Sequence, residues 1–162
     1  MPLGPITFPL MLDPACCCSP AGCCPEGQTP PDTLYATVDS DCPYIDAKVV
    51  PMARVTNPAD IPPDAELYWF GSVPVSGCEG WTEVQCAIGC YKFNSGPPDF
   101  ADMYSWAAGL GAPEFFECGV APGVVVSSCS PFAATVGPIG PCTQQVSPPC
   151  CDGFTYSLTI TE

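Results

Sequence analysis

GFTYSLTIT, residues 153–161, alternates without a break: Phe154, Tyr156, Leu158 and Ile160 fall on one side and Thr155, Ser157, Thr159 and Thr161 on the other. Side chains of an extended chain point to opposite faces in turn, so this is the pattern of a strand with one face buried and one in water. TLYATV (33–38) repeats it, with Leu34, Ala36 and Val38 against Thr33, Tyr35 and Thr37. AKVVPMARV (47–55), ELYWFGSV (66–73), WTEVQC (81–86), AIGCYKF (87–93), VVVSS (124–128) and PFAATV (131–136) supply further strand segments, separated by Pro, Gly, Asn and Asp. About eight short strands joined by turn residues predict an all-β fold, an antiparallel β-sandwich over residues 33–162. The exception is DFADMYSWAAG (99–109), which reads as a short helical insertion capped by Asp99 and ended by Gly109.

Composition agrees with one such domain. Hydrophobic residues make up 47% of the 162 positions and charged ones only 12%, so a packed interior is expected despite a net charge of −14. Twenty-three Pro and 15 Gly argue against long helices. Lys48, Arg54 and Lys92 are the whole basic complement against 17 acidic residues, which disfavours nucleic acid and anionic lipid as partners. No apolar run reaches the roughly 18 residues of a membrane span.

The 14 cysteines are Cys16, Cys17, Cys18, Cys23, Cys24, Cys42, Cys78, Cys86, Cys90, Cys118, Cys129, Cys142, Cys150 and Cys151. Such density reads as a disulfide framework formed in an oxidising place, outside the cell or on a virion surface, and full pairing would give seven bridges. Adjacent cysteines close on each other only with strain, so Cys150 and Cys151 are expected to reach different elements. Residues 15–32 hold five of the cysteines among turn formers and read as a Cys-rich loop. Residues 1–14 read as an extended arm, whose Ile6, Phe8 and Leu10 could serve as a subunit contact. That arm lacks the basic start and small-residue cleavage site of an export signal.

Catalysis finds little support. Without a single His, the commonest general base is missing, and Glu79 with Glu83 or Glu114 with Glu117 read as solvated surface pairs. No cofactor is expected, and no metal, although two alternatives exist: a thiolate site on Cys16–Cys24, and an oxygen-ligand calcium site on Asp39, Asp41 and Asp46. In LYWFG, Tyr68 and Phe70 lie opposite Trp69, so covering all three requires both faces of the sheet to be covered. Either a loop lies over one face, or Tyr68, Trp69 and Phe70 contribute to an interface.

TLYATV, CPYID (42–46), WTEVQC, SCSPF (128–132) and the terminal CCDGFTYSLTITE (150–162) together resemble small Cys-rich β proteins of planctomycete-type bacteria and phages. The likeness covers residues 33–162 in scattered pieces, with 94–117 departing from it. It supports a β-rich fold and points to no mechanism. From the disulfide framework, the arm and the aromatic faces, the expected role is that of a structural subunit of an extracellular or virion assembly, a capsid decoration or tail-associated protein, partnered by copies of itself or by other subunits. A secreted binding or adhesion module and a thiolate metal protein are the alternatives.

Overall fold

A computed structural model describes residues 23, 29–94, 102–111, 116–118, 124–125, 132–144 and 149–162. Its described residues form nine strands: β1 (Thr33–Ser40), β2 (Val49–Arg54), β3 (Ala65–Pro74), β4 (Glu83–Asn94), β5 (Asp102–Gly111), β6 (Phe116–Cys118), β7 (Val124–Val125), β8 (Ala134–Gln144) and β9 (Asp152–Thr161). All lie in one antiparallel sheet, ordered β6-β8-β9-β1-β2-β3-β4-β5-β7. The sheet curls until it is nearly closed. The Leu110 amide on β5 donates to the Tyr156 hydroxyl on β9 at 3.2 Å, a bond between strands that are not neighbours and so one that crosses the interior.

The first and last long strands follow the sequence pattern residue by residue. Leu34, Ala36 and Val38 of β1 and Phe154, Tyr156, Leu158 and Ile160 of β9 are buried, while Tyr35, Thr37, Thr155, Thr159 and Thr161 face outward. These strands pair directly, Thr37 opposite Thr159 and Val38 opposite Leu158, which brings the two ends of the domain together in the sheet. Burying one apolar face of a strand is the main gain that fixes its register, because a slip of one residue would expose the whole set.

Three expectations need correction. Residues 102–109 of the expected helix (99–109) lie in strand β5, paired with β4 from Gln85↔Gly111 to Asn94↔Asp102, and 99–101 lie outside the described residues. Trp106, Ala108 and Leu110 face the main core, while Ala107 joins a second cluster with Tyr68, Ala87 and Tyr91 on the other side of the sheet. A strand covered on both faces shows a continuous apolar run in place of alternation, and such a run cannot be told from a buried helical turn by periodicity. Segments 81–86 and 87–93 merge into β4, which begins at Glu83. Finally, the strand expected at 131–136 starts at Ala134 and continues to Gln144 through two Gly-Pro steps. Gly137 (φ 110°) and Gly140 (φ 146°) sit where the register with β9 shifts, and a β-carbon on either would press on the β9 backbone. Only glycine lets β8 bulge there and stay paired.

The Tyr68-Trp69-Phe70 triplet resolves into two environments. Trp69 points inward, stacked on Trp106 at 5.9 Å and edge-on to Phe132 at 5.7 Å, and its Nε1 donates to the Pro31 carbonyl at 2.9 Å. Tyr68 points the other way and packs in the second cluster with Val55, Ile61, Ala65 and Phe70, so the chain between β2 and β3 contributes to covering that face. Tyr68 and Trp69 are buried within the chain and are not interface residues; Phe70 is partly exposed. Ile6, Phe8 and Leu10 lie outside the described residues, as does most of the Cys-rich loop.

β2 and β3 are held close by a missing side chain. A β-carbon at Gly71 would overlap the Pro51 carbonyl oxygen, and ladder pairing between these strands is confined to Ala53↔Phe70 and Arg54↔Trp69. Pro51 cannot donate to β3, which explains why the ladder stops beside it.

Candidate functional site: the disulfide-stapled pole

β1, β3, β5 and β8 run in one direction and end at the same pole of the rolled sheet, where the turns after β1, β3 and β8 lie side by side. Two disulfides join these turns. Cys42, in the turn after β1, bonds Cys151, and Cys78, in the turn after β3, bonds Cys150. The vicinal pair ahead of β9 therefore reaches two separate elements, as expected from the strain of a vicinal bridge. A third bridge, Cys118–Cys142, ties β6 to β8, and a fourth links Cys23 to Cys90 inside the core.

Side-chain hydrogen bonds fasten the described parts of these turns. Ser40 Oγ donates to the Thr155 carbonyl at 2.6 Å and accepts from the Cys42 amide at 3.0 Å, fastening the turn after β1 to β9. Asp41 Oδ1 accepts from the Thr155 amide at 2.8 Å and Asp46 Oδ1 from the Ser40 amide at 3.0 Å. These carboxylates act as turn caps, which leaves the proposed calcium set of Asp39, Asp41 and Asp46 without a shared focus. Among the described residues no group of three or more His, Cys, Asp or Glu is placed to hold a metal. Cys23, one member of the proposed thiolate cluster, is already bonded to Cys90. In the turn after β3, Trp81 is buried against Phe154 and its Nε1 donates to the Glu83 carbonyl at 3.1 Å. Glu83 Oε1 in turn accepts from Gln85 Nε2 at 3.1 Å.

At the centre of the pole stands Gln144, the last residue of β8 and only 3% exposed. Its Oε1 accepts from the amides of both Cys150 and Cys151, and its Nε2 donates to Cys78 Sγ at 3.0 Å. One buried amide thus holds the vicinal cysteines and the partner sulfur of one of their two bridges. Sequence reading missed it. The available signal was a polar residue at an inward position, two residues after inward-facing Cys142, since a buried polar side chain must find partners.

Cys86 departs from the expected framework: it is a free, buried thiol. Its cross-strand neighbours are Gly71 on β3 and Leu110 on β5, so neither adjacent strand offers it a partner sulfur. With one of the 14 cysteines free, thirteen remain, and the chain can close at most six internal bridges. Cys16, Cys17, Cys18, Cys24 and Cys129 lie outside the described residues.

Burial pushes the Cys86 thiol from its ordinary value of 9.0 up to about 12, with the Ala87 backbone hydrogen bond pulling weakly the other way. A raised pKa keeps the thiol neutral in the folded protein while the unfolded chain ionises near pH 9. Its stabilising contribution is complete below that pH and is lost progressively between pH 9 and 12. At pH 10.5 the loss is about 2 kcal/mol, taking about 1.4 kcal/mol per pH unit. Tyr156, raised further by burial, adds to the decline at higher pH. Urea midpoints at pH 8 and 10.5 should diverge more for the native protein than for Cys86→Ala; equal slopes would show that the thiol is not sequestered.

Comparison with protein-family models, with curated proteins and with solved structures finds no match. The chain therefore has to be read from its own geometry. Four disulfides are compatible with a secreted or extracellular protein, and among the described residues no helix is long and apolar enough to cross a membrane.

Proposed function

We propose that this chain is a non-catalytic structural subunit of an extracellular assembly, in the more specific reading a capsid decoration or tail-associated protein of a virion. The observation that carries the proposal is the crosslinking: eight of the nine described cysteines close four bridges, two joining turns at one pole, one tying edge strand β6 to β8 and one inside the core. A shell built this way keeps its outer surface fixed while it bears contacts, outside a reducing compartment. We read the roll as flattened and sandwich-like, with two broad outer faces available for contact.

One of those faces favours partnership with copies of the same chain. On β1 and β2, Tyr35 (40% exposed) and Val49 (49% exposed) are the large apolar side chains left most open to water among the described residues. Tyr35 lies opposite Pro51, and Val49 opposite Thr37, so together they make a nearly uncharged patch on an otherwise acidic protein. The partly exposed Phe70, opposite Ala53 of β2, extends it, and Ile6, Phe8 and Leu10, outside the described residues, are kept as a proposed subunit contact.

Light scattering across a concentration series, with electron microscopy of the concentrated sample, tests the proposal. Self-association that weakens in a Tyr35→Ser, Val49→Thr double variant is the expected result. A strict monomer at the highest concentration would overturn it and favour the secreted binding module.

A further inference from the structure

Among the nine described cysteines, Cys150 is the one whose residue is exposed; the other seven bridged cysteines are buried or half-buried, and free Cys86 is buried. Its partner Cys78 is buried, and Cys78 Sγ receives a hydrogen bond from the Gln144 side-chain amide at 3.0 Å. The two sulfurs of one bridge are thus unlike. One belongs to an exposed residue, and the other to a buried residue and accepts from a side-chain amide.

We propose that the Cys78–Cys150 bridge is a thiol-exchange site, at which a small-molecule thiol forms a mixed disulfide on Cys150 and Cys78 is the leaving group. The external thiolate attacks Cys150 Sγ in line with the existing bond. A new sulfur-sulfur bond forms there as the Cys78–Cys150 bond breaks, and the electron pair leaves on Cys78 Sγ. One thiolate is consumed and one released, so no further oxidant or reductant is needed. The departing thiolate accepts from Gln144 Nε2, and a charge-assisted hydrogen bond is stronger than the one made to the neutral bridge. Attack in the opposite sense is blocked, because Cys78 is buried and the leaving group would be Cys150, which has no such donor among the described bonds.

Gln144 Oε1 meanwhile holds the Cys150 and Cys151 amides, and Cys42–Cys151 still anchors the turn. Exchange therefore opens one of two parallel staples without releasing the pole. Reversal by Cys78 restores the bridge and ejects the small thiol.

The test uses the whole native protein with reduced glutathione as the probe, quenching by alkylation and peptide mass spectrometry. The adduct is expected on Cys150 with alkylated Cys78, formed at least tenfold faster than opening of Cys42–Cys151, Cys118–Cys142 or Cys23–Cys90. Glutathione on Cys78, or another described bridge opening as fast, overturns the proposal on the native protein alone. Gln144→Glu keeps acceptor oxygens for the two amides but replaces the donor with a negative charge. If it melts cooperatively, it should exchange at least tenfold more slowly; an unchanged rate overturns the part assigned to Gln144.

Discussion

Replacing Cys150 and Cys151 together by serine is expected to lower the melting temperature by more than roughly 15 °C and to leave the chain substantially unfolded near body temperature. Cys42–Cys151 spans 109 residues and Cys78–Cys150 spans 72. Chain-entropy arguments give about 4.8 and about 4.4 kcal/mol for loops of these lengths. The second loop lies inside the first, so their sum overstates the joint effect. Even one is comparable to the low end of the roughly 5–15 kcal/mol that a domain has in total. At about 2–4 °C per kcal/mol for a domain of this size, one bridge alone corresponds to roughly 10–20 °C. The double variant also releases Cys78 Sγ, which Gln144 Nε2 meets, from its bridge. Cys118–Cys142, spanning 24 residues, should matter less, about 3.4 kcal/mol by the same reasoning. Thermal unfolding by circular dichroism of the native protein, the vicinal double variant and the Cys118→Ser, Cys142→Ser variant checks the order. Indistinguishable melting of all three would mean that the crosslinks do not carry the fold.

How far the sequence shows this fold depends on how many faces of a strand are covered. β1 and β9 have one face in water, so their alternation is printed in the chain and their register follows from it. β5 is the opposite case. Its Trp106, Ala107, Ala108 and Leu110 are all buried, on two sides of the sheet, and the resulting run imitates a helix because its partner β4 is a long-range neighbour that local pattern cannot show. In β8 the two Gly-Pro steps look like strand ends, yet the bulges let pairing resume beyond each. That the cysteines form disulfides was legible, but connectivity was not, since it depends on which turns share a pole. The same limit explains the seven-bridge expectation: nothing local marks Cys86 as the inward-facing thiol with Gly71 and Leu110 beside it. Gln144 was invisible for a related reason. Its partners are a sulfur 66 residues away and two amides that only the folded turn presents.

Trp69→Ala is expected to cost about 4–6 kcal/mol, the largest loss from any single core truncation proposed here. The side chain is fully buried and lies against Trp106 and Phe132, which are themselves in edge-on contact at 5.5 Å. Truncating a buried Trp removes about 3–5 kcal/mol through lost transfer energy and the cavity left behind. The two remaining rings belong to β5 and to the entry of β8, on different walls of the roll, so neither can move in without disturbing its own strand. The Pro31 carbonyl also loses the indole donor, and an acceptor left unsatisfied in a partly buried place adds about 1 kcal/mol or more. Trp69→Phe separates these contributions: it keeps a ring in the stack and loses the donor, for an expected cost of about 1.5–3 kcal/mol. Tyr35→Ala, on the exposed outer face, should lie within about 0.5 kcal/mol of the native protein. Urea unfolding with a common slope measures all three. If Trp69→Ala cost no more than Tyr35→Ala, the indole would not lie between the walls, and the inward curl of the sheet would have to be redrawn.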